Sequence, residues 1–376
     1  MTRSPILDID ALLDDQATRI VVCCGSGGVG KTTTAAALGL RAAERGRRVV
    51  VLTIDPARRL AQSMGLTELD NVPRPVSGIS ANGTGELHAM MLDMKRTFDE
   101  IVLEHASPDK AAQILGNPFY QSLSSSFSGT QEYMAMEKLG QLLATDDWDL
   151  VVVDTPPSRS ALDFLDAPRR LGTFLDGRFI RILMAPVKAG SRTYMKALSF
   201  GVSTVTNVMM RVLGAGFLRD VQTFVAALDT MFGGFRERAD ATYELLKAPG
   251  TAFLVVAAPE PDALREASYF VERLSTEGMP LAGLVLNRVH RTAAPDLSAA
   301  RSLAAAEELQ RDGDEPVAAA LLRMHADRML VIAREKRLRE RFTSAHVAVP
   351  VIEVPVQPTD VHDLDGLRSI GAALAA

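Results

Sequence analysis

The chain has 376 residues, 47% hydrophobic and 23% charged, with a net charge of −5. Those values fit a globular protein of one large domain or two average ones, and the acidic balance argues against a nucleic-acid binder working through broad electrostatic attraction, leaving room only for a local basic patch. The start, MTRSPILDIDALLDD, lacks the apolar core of a secretory signal. The longest uncharged stretch of the apolar middle, Ala197–Met210, is too short and polar to span a bilayer, so cytoplasmic residence is expected.

The first apolar run, Arg19–Cys24, reads as a strand buried on both faces. It holds the only two cysteines, Cys23 and Cys24, whose side chains alternate to opposite faces and cannot converge on one metal. Both are expected in the core, and no zinc is expected. Next comes Gly25-Ser26-Gly27-Gly28-Val29-Gly30-Lys31-Thr32-Thr33, opening an alanine-rich helix that reaches Ala43. Strand, glycine loop and helix in this order make a phosphate-binding loop. The glycines turn successive N–H groups inward, and the helix N-terminus adds its positive dipole end. Lys31 is placed to reach β- and γ-phosphates, and the Thr32 hydroxyl to ligate Mg²⁺. A nucleoside triphosphate with Mg²⁺ is therefore the expected cofactor.

The second run, Arg47–Asp55, ends in Thr53-Ile54-Asp55-Pro56-Ala57-Arg58-Arg59-Leu60. An acidic residue at a strand end beside the loop can orient or activate an attacking water. Taken alone, Asp55-Pro56 reads first as a helix-start signal, with the water-activating role as the alternative. Leu87–Asp93 reads as a third strand. Lys95–Asp147 is too long for a simple crossover and looks helical, with breaks at Gly116-Asn117-Pro118 and Ser128-Gly129. The fourth run, Trp148–Asp154, ends in an aspartate where P-loop enzymes hold Mg²⁺ through water. Thr155-Pro156-Pro157-Ser158-Arg159-Ser160 follows as a segment that senses the γ-phosphate.

A second long helical gap, Ala161–Gly250, has breaks at Ala185-Pro186, Gly214-Ala215-Gly216 and Gly233-Gly234. Within it Phe217, Val221, Phe224, Leu228 and Met231 make one broad apolar helix face. That face is either core or a groove for an apolar client helix, and methionines at 184, 195, 209 and 210 suit both. Ala252–Ala258, Leu281–Asn287 and Val349–Val356 complete seven expected strands. Asn287-Arg288 closes the sixth, where an amide offers donor and acceptor to an adenine edge. The basic stretch Arg323–Arg341 reads as a solvated amphipathic helix face. Alternating strands and helices predict an α/β fold, a mostly parallel sheet flanked by helices. The expected organisation is a single domain, 1–376, with helical insertions at about 95–147 and 161–250.

The loop Gly-x-Gly-Gly-Val-Gly-Lys-Thr-Thr resembles the deviant phosphate loop of one branch of P-loop ATPases. That branch includes cell-division and chromosome-partition ATPases, the nitrogenase iron protein, and the arsenite-pump/tail-anchored-protein-targeting ATPases. Thr53-Ile54-Asp55-Pro56-Ala57-x-x-Leu60, Gly129-Thr130-Gln131-Glu132, Asp154-Thr155-Pro156-Pro157-Ser158 and Asn287-Arg288 are similar to the last group in particular. The likeness runs from about Arg19 to the strand and loop at Val349–Pro358 and is nearest to actinobacterial anion-transporting ATPases. It implies a deviant P-loop fold with a helical insertion subdomain, and an ATP hydrolase acting as a nucleotide-gated dimer. By the same likeness Lys31 and Asp55 are catalytic, with Asp55 positioning the hydrolytic water. Thr32 serves Mg²⁺ directly, Asp55 and Asp154 through water. Asn287 and Arg288 lie at adenine, with Pro355 flanking the base, and the insertion changes shape between nucleotide states.

Three departures shape the expected partners. The family carries a lysine directly after the first loop glycine that crosses to the partner's phosphates, as an arginine finger does; here Ser26 stands in its place. A heterodimer with a paralogous ATPase that keeps the lysine is expected, with Arg58 and Arg159 as substitutes in cis. The arsenite-binding cysteines of the pump and the CxxC zinc pair of the targeting ATPases have no counterparts, which disfavours arsenite stimulation and excludes a zinc-clasped homodimer. The expected client is an apolar helical segment or membrane protein, and no nucleic acid. Two other readings stand: a weakly hydrolysing scaffold subunit, which Ser26 favours, and a positioning or partition ATPase, which the acidic tail Asp360–Leu367 disfavours.

Overall fold

The computed structural model describes residues 5–54, 59–79, 85–118, 120–121, 130–156, 232–311 and 315–376. In chain order these carry α1 (Ile9–Asp14), β1 (Ile20–Cys24), α2 (Lys31–Glu44), β2 (Arg48–Thr53), α3 (Arg59–Ser63), β3 (Arg74–Pro75) and β4 (Glu86–Met91). Then follow α4 (Met94–His105), α5 (Pro108–Leu115), α6 (Thr130–Ala144), β5 (Leu150–Asp154), α7 (Phe232–Lys247) and β6 (Thr251–Ala257). The chain closes with α8 (Pro261–Glu277), β7 (Leu281–Val289), α9 (Ala299–Arg311), α10 (Pro316–Ala345), β8 (Val351–Pro355) and α11 (Leu364–Ala373).

The described residues fall into two compact units. One comprises those within Met1–Met90, Asp147–Ala161 and Leu246–Ala376, and holds the sheet but for Met91; the other comprises those within Met91–Asp146 and Leu162–Leu245. The strand order is β3-β4-β2-β5-β1-β6-β7-β8. β2–β5, β5–β1, β1–β6, β6–β7 and β7–β8 pair in parallel, and β3–β4 antiparallel. The fold is thus α/β with a mostly parallel sheet, as the apolar runs predict.

Alternation along the strands builds two buried faces. Val21, Cys23, Val49, Val51, Val152, Leu254, Val256, Val285, Ile352 and Val354 join one core with α1, α2 and α11. Cys24, one residue on from Cys23, places its Sγ 3.7 Å from the Leu254 carbonyl instead. Buried Arg47 stitches α1, the approach to β1 and the approach to β5 together: its guanidinium donates to the carbonyls of Leu13, Thr18 and Asp149 at 2.9, 2.6 and 2.5 Å. In the second unit, Lys138 of α6 pairs with Glu100 of α4 at 3.1 Å, and Arg238 of α7 with buried Glu137 of α6 at 2.8 Å.

The seven expected strands are present, each within three residues of its expected bounds. β3 is an addition. Two residues, one of them proline, carry no apolar run, and proline is tolerated because this strand ends the sheet. Gly233-Gly234 lies within the first turn of α7 rather than breaking a helix. Gly116 does end α5, as its C-cap. The basic stretch lies on α10, mostly exposed, but Glu335 and Phe342 are buried and Arg339 pairs with Glu353 of β8. The apolar face 217–231 and methionines 184, 195, 209 and 210 lie outside the described residues.

Candidate nucleotide site

β1 is the strand where the sheet order divides, with β5 on one side and β6 on the other. In open α/β sheets ligands bind beyond the carboxyl ends of strands at such a point. The loop Gly25–Gly30 leaves β1 there and enters α2. Two of its glycines are obligatory. Gly25 has φ +151°, and a Cβ on it would fall 2.1 Å from the Val256 carbonyl oxygen. Gly30 has φ +94°, and a Cβ there would fall 2.2 Å from Asn287 Nδ2. Gly30 is also the N-cap of α2 and makes no side-chain cap bond. No described residue accepts a hydrogen bond from the N–H of Gly28, Val29 or Gly30. A 14-residue helix thus starts at an uncapped glycine loop, an arrangement that receives a phosphate.

Lys31 is 5% exposed, and its ammonium donates to the Ser26 carbonyl at 2.8 Å. It bridges the loop it follows, so the cation is held over the cradle. Thr32 points its hydroxyl across to β5 and donates to Asp154 Oδ2 at 2.7 Å. Asp154 has no solvent exposure. Register puts it between neighbours: it aligns with Cys23 of β1 and with Thr53 of β2. The Thr53 hydroxyl donates to the same Oδ2 at 2.9 Å. Thr155, next along, donates its hydroxyl to the Cys23 carbonyl at 2.9 Å, fixing the chain as it leaves β5. A hydroxyl and a buried carboxylate on one spot are hard oxygen donors of the kind Mg²⁺ takes, with phosphate and water completing its shell. The donor set therefore fits Mg²⁺, and the loop fits a triphosphate. No group of three or more His, Cys, Asp or Glu that could hold a metal occurs among the described residues.

Asn287 approaches from the other side. Its Nδ2 donates to the Val29 carbonyl at 2.8 Å, and its Oδ1 accepts from the Arg288 N–H at 2.9 Å. The cause lies in β7. Its register with β8 shifts between Leu286 and Val289, and Arg288 has φ 63°. A bulge with one left-handed residue re-aims a side chain, here the Asn287 amide onto the loop. Val289 aligns with Pro355, so Pro355 stands one strand beyond. The structure thus brings Gly25–Thr33, Asp154 and Asn287 together, with Arg288 and Pro355 at the adjoining strand ends. Thr53 is a residue that the sequence offers no reason to single out beyond the likeness of its segment; only pairing with β5 shows its contact. Asp55, Arg58, Gly129 and Arg159 lie outside the described residues.

Burial pushes the Cys24 thiol up to about 12. Burial, then the negative charge of Asp154, raises the Cys23 thiol well above its ordinary value. Both stay protonated, so neither supplies a thiolate. A cavity of about 270 Å³ borders the loop at Ser26, Gly27, Gly28 and Val29, and Glu260, Asp262 and Glu266 at the start of α8 line its other wall.

Comparison with known proteins agrees with this geometry. The family model described as "Anion-transporting ATPase" matches residues 18–312. The chain is 29% identical over 157 residues to the ATPase GET3 of Malassezia globosa, covering 42% of this chain and 44% of that protein. It is 23% identical over 293 residues to the ATPase asna-1 of Caenorhabditis elegans, covering 75% and 77%. It is 23% identical over 299 residues to the ATPase get3 of Pyrenophora tritici-repentis, covering 77% and 80%.

Proposed function

Because this chain belongs to the anion-transporting ATPase family, and is an ATP hydrolase on that ground, we propose that it works as a Mg·ATP-gated dimeric switch. In this reading 1–376 is one ATPase domain, and the helical insertions at about 95–147 and 161–250 change shape with nucleotide state. The observation that carries it is the meeting of Thr32, from the phosphate loop, with the fully buried Asp154 at 2.7 Å.

The roles in this reading are those the phosphate loop and the family resemblance imply. Lys31 turns from the Ser26 carbonyl to the β- and γ-phosphates, while loop N–H groups bind the phosphate oxygens. Thr32 and Asp154 would hold Mg²⁺, which would supply positive charge against the charge building on the phosphates. Asp55, two residues beyond Thr53, positions the hydrolytic water and joins the outer Mg²⁺ shell. Asn287, Arg288 and Pro355 serve the base, Asn287 while also bracing Val29.

The partner is a paralogous ATPase whose loop keeps the trans-acting lysine that Ser26 replaces. The serine at position 26, neutral and too short to reach across to a partner's phosphates, supports this. The client is an apolar helical segment or membrane protein, by the resemblance to targeting ATPases. No described helix is long and apolar enough to cross a membrane, and the site of action is cytoplasmic. Ser26 also supports a second reading, a scaffold subunit that binds ATP and hydrolyses it weakly.

Turnover with Mg²⁺ and with chelator, and small-angle scattering of the dimer with the paralogous partner in ADP and in ATP, test the proposal. Mg²⁺-dependent turnover and a dimer whose scattering profile differs between the two nucleotides are expected. Identical profiles in both nucleotide states would overturn the switch.

A further inference from the structure

Thr53 closes β2 with 1% exposure, and the roles above leave it idle. We propose that it is a positioning residue for the metal site, its hydroxyl fixing the Asp154 carboxylate in the orientation that meets Thr32. The inference rests on the reading of Asp154 as the Mg²⁺-shell carboxylate.

Backbone pairing fixes where Asp154 sits but not where its carboxylate points. Thr53 and Asp154 are register partners, and the Ile54 N–H donates to the Asp154 carbonyl at 3.0 Å, so the main chain is held past the strand end. The side chain retains two torsions. A carboxylate with no solvent exposure cannot be steadied by bulk water and depends on protein donors. Here Oδ2 takes two hydroxyl donors from different elements, Thr32 of α2 at 2.7 Å and Thr53 of β2 at 2.9 Å. Hydrogen bonds from O–H to an ionised oxygen are among the stronger ones.

The two threonines are not equivalent. Thr32 has a second duty in the proposed complex, giving its oxygen to the metal. Thr53 is not assigned to the metal, and as a buried β-branched residue its χ1 is restricted. It is therefore the donor that holds the carboxylate in place whether or not metal is bound. Partners of this kind, hydrogen-bonded to a metal-binding group, typically change metal affinity ~10–100-fold when removed. Thr53 also lies two residues before Asp55 in sequence, so the same bond ties the metal carboxylate to the strand that precedes the proposed water-positioning residue.

The test compares Thr53→Val, Thr53→Ser and Asp154→Asn by calorimetric ATP affinity in chelator, and by the Mg²⁺ concentration that half-saturates tight ATP binding. Valine keeps the shape and removes the donor; serine restores the donor without the methyl. Thr53→Val should raise the half-saturating Mg²⁺ roughly tenfold or more, with metal-free ATP affinity within about twofold. Thr53→Ser should return most of the shift. If Asp154→Asn raises the Mg²⁺ requirement and Thr53→Val does not, the positioning role is overturned while the Asp154 reading stands. If Asp154→Asn leaves the requirement unchanged, that reading fails and takes this inference with it. Equal loss in chelator and in Mg²⁺, unrelieved by serine, would make Thr53 a packing residue and overturn the proposal.

Discussion

At the scale of single residues, Lys31 and the two cysteines show how burial selects chemistry. The Lys31 ammonium is nearly enclosed and held by the Ser26 carbonyl, so its charge is aimed before any ligand arrives. Lys31→Ala should lower ATP affinity by ~10²-fold, the worth of one or two charge-assisted hydrogen bonds. Calorimetry on a folded variant checks this, and unchanged affinity would remove Lys31 from the phosphate site. Cys23 and Cys24 are both buried, with thiols raised by burial. Neither should react with a thiol reagent or bind arsenite or zinc until the protein unfolds. Thiol titration of the native and the denatured chain decides it: none is expected before unfolding and both after, whereas a reactive native thiol would contradict the burial.

At the scale of elements, α1 is tied to α2 by charge as well as by packing. Arg41 binds Asp10 through two bonds of 2.6 and 2.7 Å, and Arg45 pairs with Asp14. The hydrogen bonds from Arg41 hold the Asp10 carboxyl below its usual value, against the opposing effect of burial; Arg45 acts likewise on Asp14. A carboxyl lowered by folding binds fewer protons folded than unfolded, so its stabilisation is complete above the ordinary carboxylate range. It is lost as pH falls through the lowered value. Half-exposed pairs of this kind are worth under about 1 kcal/mol each. The expected result is loss of amide protection in α1, with rates referred to unstructured peptide at the same pH, below about pH 4 in the wild type. Asp10→Asn should show quicker exchange already at neutral pH and a flatter acid response. Identical pH profiles for the two would show that packing alone seats α1.

At the scale of the whole molecule, the proposed paralogous partner turns on Ser26. Trans-acting cations are worth ~10³–10⁵ in rate in P-loop enzymes, and serine supplies none. The isolated chain should hydrolyse ATP slowly, and co-expression with a lysine-bearing paralogue should give a 1:1 complex with faster turnover. Ser26→Lys should raise turnover of the chain alone by at least ~10-fold, recovering part of that range. A wild-type chain that turns over rapidly by itself, indifferent both to the paralogue and to Ser26→Lys, would show that the missing cation is replaced in cis.

The sequence by itself determined the sheet class, the phosphate loop and the carboxylate at the end of β5. These are local signals: continuous apolar runs such as Trp148–Asp154, and glycines at fixed spacing before Lys31 and Thr32. Only the tertiary structure decided what those residues touch. Thr32 and Asp154 are 122 positions apart, Thr53 and Asp154 101, and Asn287 and Val29 258, distances over which no periodicity carries information. β5 had to insert between β1 and β2 for one carboxylate oxygen to receive two hydroxyls. A bulge with a left-handed Arg288 had to form in β7 for the Asn287 amide to turn onto the loop. β3 was invisible for a similar reason: Arg74-Pro75 becomes a strand only because β4 offers an edge to pair with. Composition and spacing express the chain's local preferences, while register between strands far apart in sequence is settled by packing the whole sheet at once.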